Sequence, residues 1–75
     1  MIEILLIRGN DAEKIATIKY LHTNDLHCGE IVEAIVNAIH GGPIVSNRIA
    51  DDKYPIAYNI SYNTNYKVVA RDINE

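Results

Sequence analysis

The chain has 75 residues, of which 48% are hydrophobic and 23% charged, and its net charge is −3. This composition is typical of one small globular domain covering residues 1–75, and it excludes a disordered chain or a separate substrate domain. The seven basic residues form no run, so nucleic-acid binding, which needs clustered lysine and arginine, is not expected.

The sequence also suggests a cellular location. A single cysteine cannot form an intramolecular disulfide, so the fold does not depend on an oxidising compartment. The first residues lack the basic and apolar regions of a signal peptide, and no apolar run approaches the roughly 18 residues that span a bilayer. We therefore expect a cytoplasmic protein, of a cell or an infected host cell, without membrane association.

The N-terminal third predicts a strand followed by a helix. Residues 2–7 form an almost unbroken apolar run of strand length, which is typical of a central strand. Asn10 stands three residues before Glu13, which is the spacing of a capping box. Apolar residues then recur at helical spacing, at Ile15, Ile18 and Leu21. We predict a helix over residues 11–22; a strand is the alternative, because several of these side chains are β-branched or aromatic.

A second helix is predicted over residues 29–40. Its apolar stripe consists of Ile31, Val32, Ile35, Val36 and Ile39. Gly41, Gly42 and Pro43 follow, as expected of a left-handed C-cap with a stop after it. Asp25 is a candidate N-cap for this helix.

The C-terminal third carries the strongest strand signal. Residues 44–49 are a candidate short strand, and apolar and polar side chains alternate over residues 54–62. A hairpin loop is predicted at residues 63–65. One register then satisfies both strands, with the cross-strand pairs Tyr62–Tyr66, Ile60–Val68 and Tyr58–Ala70.

Together these elements predict a two-layer α+β domain in the order β-α-α-β-β, with a further β-strand optional. Two helices would pack on one face of a sheet that contains the antiparallel C-terminal hairpin. The first strand is expected beside a strand of the hairpin, because a lone hairpin is marginally stable in water. The hairpin is expected to leave at least one strand edge exposed.

Residues 21–28, LHTNDLHC, contain two histidines, an aspartate and the chain's cysteine. The first seven of these letters resemble the opening motif of the 5′-nucleotidase branch of the calcineurin-like metallophosphoesterases. The resemblance implies that Asp25 and His27 are ligands of a two-metal site, where metal-activated water attacks a phosphate ester. It covers seven of the 75 residues, and the family's later GNHE and GHxH motifs are absent.

Other interpretations of this segment stay open. One alternative is a simpler metal site with three or four ligands. The candidate ligands are His22, Asp25, His27, Cys28 and Glu30, although the paired spacings of structural zinc are absent. Cys28 could be a reactive thiol at a helix start, or a small buried residue. We favour a polar connection between two elements, and we predict no metal and no cofactor.

A row of tyrosines accompanies the C-terminal strands, at Tyr54, Tyr58, Tyr62 and Tyr66. Its even spacing predicts a core face with hydroxyls at the rim, and the alternative is a contact surface.

No catalytic set is complete, so we predict a protein-binding module that is not an enzyme. The expected role is to inhibit or regulate a host enzyme, as small phage or mobile-element proteins do. The predicted contacts with a basic partner protein are the acidic residues Glu30, Glu33, Asp51 and Asp52. Self-association through an exposed strand edge is also predicted. The alternative function is a metal-binding or phosphoesterase-like protein that uses Asp25 and His27.

Overall fold

A computed structural model describes residues 1–40, 47–60 and 66–74. In these residues it has β1 (Ile2–Arg8), β2 (Asp11–Ile18), α1 (Cys28–His40), β3 (Asn47–Arg48), β4 (Ile56–Asn59) and β5 (Tyr66–Asp72). The strands form one antiparallel sheet in the order β2-β1-β5-β4-β3. The α+β class is confirmed. The described residues contain one helix, so the predicted order with two helices is wrong.

The first hairpin replaces the predicted helix over residues 11–22, which is wrong. Gly9 and Asn10 form a two-residue loop between β1 and β2. Gly9 has a φ of 61°, whereas the φ of Asn10 is not positive. This is the pattern of a type II′ turn, whose twist matches that of two paired strands. The glycine-asparagine pair is therefore a hairpin signal, and Asn10 does not cap a helix.

A bulge in β2 explains the helix-like spacing of its apolar residues. The register of β1 and β2 shifts between Ile4 and Leu5, so Ile15 has no direct partner on β1. Ile15 and Ala16 are both partly buried against the same core cluster. Two consecutive residues thus share one face, and the next residue of that face is Ile18. The bulge converts a period of two into a spacing of three.

The helix α1 covers one face of the sheet, and its observed span confirms the prediction over residues 29–40. The Tyr58 hydroxyl donates a hydrogen bond of 3.0 Å to the carbonyl of Gly29, which fixes the start of α1 on the sheet. The buried core beneath the helix consists of Cys28, Val32, Val36, Ile2, Ile4, Leu6, Ile56, Tyr58, Ile60, Val68 and Ala70. The predicted C-cap at residues 41–43 lies outside the described residues.

The C-terminal strands pair two residues away from the predicted register. Tyr58 lies opposite Val68, whereas the alternation predicted Ala70 as its partner. Because side chains alternate with a period of two, a two-residue shift leaves Tyr58, Ile60 and Val68 on the face that the alternation predicted. The pattern therefore determined the faces and left the register undetermined. The predicted loop at residues 63–65 lies outside the described residues.

The C-terminal hairpin lies inside the sheet. As predicted, β1 is a central strand beside the tail, and it pairs with β5 along its whole length. On the other side of the hairpin, β4 pairs with β3, which belongs to the candidate strand over residues 44–49. The predicted exposed edge of the hairpin is therefore wrong, since the strands at the edges of the described sheet are β2 and β3.

The face opposite α1 carries a second, smaller core. Leu5 and Val69 are buried there with Tyr54, and Ile49 packs against them. Tyr54 thus lies on the opposite face from Tyr58, because the regular alternation begins only at β4. The single tyrosine face predicted from the spacing is wrong. Tyr66 is partly buried on the helix side, and Tyr62 lies outside the described residues.

Residues 49–54, called the 49–54 segment below, are held to this second face by Asp51. The Oδ1 atom of Asp51 accepts hydrogen bonds from the backbone N–H groups of Lys53 at 2.8 Å and Tyr54 at 3.2 Å. Its Oδ2 atom accepts a hydrogen bond from the ammonium group of Lys67 on β5. One carboxylate therefore shapes the turn and attaches it to the sheet.

Candidate functional site

Residues 19–27, called the 19–27 loop below, connect β2 to α1. The preceding strand ends at Ile18, so the LHTNDLHC segment follows a strand and not the predicted helix. Tyr20 has a φ of 63°, in the left-handed region that non-glycine residues rarely adopt. An aromatic residue in this conformation costs about 1–2 kcal/mol relative to an ordinary turn residue.

A short turn occupies the middle of the loop. The His22 N–H donates to Asp25 Oδ2 at 2.8 Å, and the Asp25 N–H donates back to the His22 carbonyl at 3.0 Å. The Asp25 carbonyl then accepts a hydrogen bond of 3.2 Å from the N–H of Cys28, the first residue of α1. The Asp25 side chain therefore closes a turn ahead of the helix and does not cap α1.

Asp72, near the end of β5, attaches the 19–27 loop to the sheet. One carboxylate oxygen accepts a hydrogen bond of 2.9 Å from the Thr23 N–H, and the other accepts one from the Thr23 hydroxyl. The His22 Nδ1 atom lies 3.8 Å from the same carboxylate. Residues 49 positions apart in the sequence thus fix the conformation of the loop.

The loop presents two large apolar side chains to solvent. Tyr20 is 87% exposed and Leu26 is 88% exposed, whereas Ile39, the next most exposed large hydrophobic residue among those described, is 40% exposed. No pattern in the sequence marks Tyr20 or Leu26 as exposed. The available signal was that Leu26 stands between Asp25 and His27, outside the apolar stripe of the helix.

The residues of the predicted metal site do not converge. The carboxylate of Asp25 faces the His22 N–H within the loop, and His27 Nδ1 lies 3.2 Å from Glu30 Oε2 at an exposed position. No group of three or more His, Cys, Asp and Glu side chains in the described residues could hold a metal ion.

Cys28 is a buried thiol of the helix-side core. Burial, together with the carboxylates of Asp72 and Asp25, raises the pKa of this thiol. A raised pKa disfavours the thiolate that a nucleophile or metal ligand requires. The environment therefore supports the interpretation of Cys28 as a small core residue.

The four acidic residues predicted to contact a partner do not form one surface. Glu30 and Glu33 are exposed on the outer side of α1. Asp51 and Asp52 lie in the 49–54 segment, on the opposite side of the sheet. The Asp51 side chain is 12% exposed and paired with Lys67, while Asp52 is exposed. Of the four, Glu30 contacts the 19–27 loop, through His27, and Glu33 lies one turn further along α1.

Comparisons with known proteins found no relative of this chain. A scan against protein-family models found no match, and searches of curated proteins and solved structures also found none. In the part of the chain that the structure describes, the helix α1 is not long and apolar enough to cross a membrane.

Replacing Asp72 with alanine is expected to release the 19–27 loop from the sheet. Because the carboxylate is half-exposed, the free energy of unfolding should fall by only about 1 kcal/mol. The sharper readout is hydrogen exchange, since the Thr23 amide should lose its protection. Glu33→Ala is the control and should leave this amide protected; an equally protected amide in Asp72→Ala would show that the contact does not hold the loop.

Stability should fall in acid. Hydrogen bonds from Lys67 and the Lys53 backbone hold the pKa of Asp51 below its usual value, and those from Thr23 do the same for Asp72. Below about pH 5 the unfolded chain binds more protons than the folded chain, so the free energy of unfolding decreases as the pH falls through the ordinary aspartate pKa of about 3.9. Urea unfolding between neutral pH and about pH 3 measures this slope. The double variant Asp51→Asn, Asp72→Asn should show a shallower slope.

Proposed function

We propose that the protein is a binding module for another protein, and that the 19–27 loop and the adjoining turns of α1 form its contact surface. The observation that carries this proposal is the exposure of Tyr20 and Leu26 on a loop held by hydrogen bonds. Tyrosine is among the residues that most often dominate binding energy at protein interfaces. Two such side chains within seven residues offer apolar anchors for a pocket on a partner.

The fixed conformation of the loop supports the same proposal. The bonds from Thr23 to Asp72 and between His22 and Asp25 order the backbone before any partner binds. A preordered loop loses less conformational entropy on association. Tyr20 keeps a strained φ while its ring makes no core contact, and strain of this kind is concentrated at functional positions.

The charges beside the loop indicate the kind of partner. Glu30 and Glu33 are exposed on the first turns of α1, which directly follow the loop in the chain. We therefore propose a partner with an apolar pocket bordered by lysine or arginine, since complementary charge guides association. Occupying such a surface would let this small cytoplasmic protein inhibit or regulate an enzyme of its host.

The competing proposal is that the protein associates with a second copy of itself through a strand edge. It would require β2 or β3, and β2 carries a bulge at Ile15 and exposed charges at Asp11, Glu13 and Lys14. Bulges and charged side chains are devices that oppose edge-to-edge pairing. We therefore place the contact at the loop.

Site-specific photocrosslinking tests the proposal. A benzophenone amino acid at position 20 should give one discrete heterologous adduct in native host cells, whereas the same group at position 39 should not. With the purified partner, Tyr20→Asn and Leu26→Ser should each weaken binding by about thirtyfold, the effect of losing a 2 kcal/mol anchor. Asparagine tolerates a positive φ, so the loop should keep its fold.

Three outcomes would contradict the proposal. They are adducts of equal yield at positions 20 and 39, unchanged affinity in both loop variants, and an adduct of twice the chain mass. The last result would assign the loop to self-association. Ile39→Ser, which alters an exposed apolar residue outside the loop, is the matched control for affinity and should bind normally.

A further inference from the structure

A small depression lies on the side of the sheet opposite α1, between the β1–β2 turn and the 49–54 segment. It has a volume of about 250 Å³. It lies far from the proposed contact surface in the fold, because Lys67 and Tyr54 belong to the face that α1 does not cover. The residues that line it are Ile7, Gly9, Asn10, Asp11, Ala12, Asp51, Lys53, Tyr54 and Lys67.

Strand alternation determines which side chains enter the depression. Ile7 pairs with Ala12 on one side and with Lys67 on the other, so these three side chains share the face opposite α1. Asp11 is the next residue along β2 from Ala12, and its side chain therefore points to the helix side. The floor is thus apolar, and from the strand alternation we infer that the Asp11 carboxylate points away from it.

The charges that remain are cationic. Asp51 already accepts three hydrogen bonds, one of them from Lys67. The Lys67 ammonium group has three N–H donors, and Asp51 is its one ion-pair partner in the described residues. Its side chain is 21% exposed, so its charge is partly shielded from solvent. Lys53 lies 5.8 Å from the centre of the Tyr54 ring. The two ammonium groups and one carboxylate give a net charge of +1.

We propose that this depression binds a small monocarboxylate with a short apolar body. The carboxylate would accept hydrogen bonds from the ammonium groups of Lys53 and Lys67, and such charge-assisted bonds are stronger than neutral ones. The apolar body would lie on Ile7 and against the Tyr54 ring. A dianion such as phosphate matches the site less well, because the net charge is +1 and the apolar floor donates no hydrogen bonds to its additional oxygens. This site is independent of the proposed protein-binding surface.

Titration of the ¹⁵N-labelled protein with butyrate, followed by NMR, tests the proposal. The amides of Gly9 to Ala12 and of Tyr54 should shift and saturate with a Kd on the order of 1 mM, typical of a ligand of this size. Butyramide, which has nearly the same shape without the charge, should bind at least about tenfold more weakly. Inorganic phosphate should also bind more weakly than butyrate.

Lys53→Met keeps most of the aliphatic stem, removes the ammonium group and leaves the Asp51–Lys67 pair intact. It should weaken butyrate binding by about tenfold, whereas Lys19→Met, at an exposed position in the 19–27 loop, should not. Overturning results are shifts that do not saturate, equal binding of butyrate and butyramide, phosphate binding at least as tight as butyrate, or a Lys53→Met variant that binds normally.

Discussion

Replacing Ile4 with alanine should lower the free energy of unfolding by about 2–5 kcal/mol. Ile4 is fully buried in the central strand β1, between Ala70 of β5 and Ala16 of β2. The truncation removes buried methyl and methylene groups and leaves a cavity beneath α1, which costs about 2–5 kcal/mol. A 75-residue domain has a total stability of about 4–11 kcal/mol. The loss is therefore a large share of the total.

Chemical denaturation followed by circular dichroism measures this loss. The matched control is Ile39→Ala, the same change at a side chain that is 40% exposed on α1. It should alter the free energy of unfolding by less than about 1 kcal/mol. Equal losses at the two positions would mean that Ile4 does not lie in a packed core.

Replacing Asp51 with alanine should detach the 49–54 segment and lower the free energy of unfolding by about 2–3 kcal/mol. The substitution leaves the shielded Lys67 ammonium group without its ion-pair partner and frees the backbone N–H groups of Lys53 and Tyr54. Unpaired charges and donors in partly buried positions carry costs of this size. The contact between Tyr54 and the second core should weaken as a result.

Urea unfolding measures the loss in the free energy of unfolding. Hydrogen exchange at the Tyr54 amide reports whether the 49–54 segment has detached from the sheet. Asp52→Ala changes the neighbouring exposed carboxylate and should stay within about 0.5 kcal/mol of the original protein. If the two alanine variants were equally stable, Asp51 would be a surface residue, available to a partner as the sequence alone predicted.

The elements that the sequence predicted well are those whose pattern had one interpretation. The run from Ile2 to Ile7 is apolar on both faces, because β1 is covered by α1 on one side and by the second core on the other. The stripe of α1 repeats with the helical period over its whole length. In the C-terminal strands, alternation assigned the faces, but a period of two cannot distinguish registers that differ by two residues.

The region from residue 11 to residue 22 was mispredicted for a local reason. The bulge at Ile15 inserts one residue into β2 and imitates the helical spacing of apolar positions. The exposed residues of β2 added no alternation, because an edge strand buries little of either face. The two-residue turn at Gly9 and Asn10 was the decisive signal, and it favoured a hairpin.

The candidate site was harder to predict than the fold. The polar character of the LHTNDLHC segment was evident from its letters, but its attachment depends on Asp72, a residue 49 positions away from Thr23. Exposure of Tyr20 and Leu26 is a property of the folded chain, and no period in the sequence encodes it. Contacts between residues far apart in the sequence depend on the whole fold, and no local sequence pattern predicts them.

The sheet order has a consequence for how the protein folds. The adjacent strands β1 and β5 are far apart in the sequence, since they pair from Ile2–Asp72 to Arg8–Tyr66. Their pairing must close a loop of nearly the whole chain, and topologies dominated by such distant pairs fold slowly. During synthesis, β1 has no inner neighbour until β5 has left the ribosome. A nascent chain that lacks β5 should therefore expose the apolar residues of β1, and the core should form only after β5 is available.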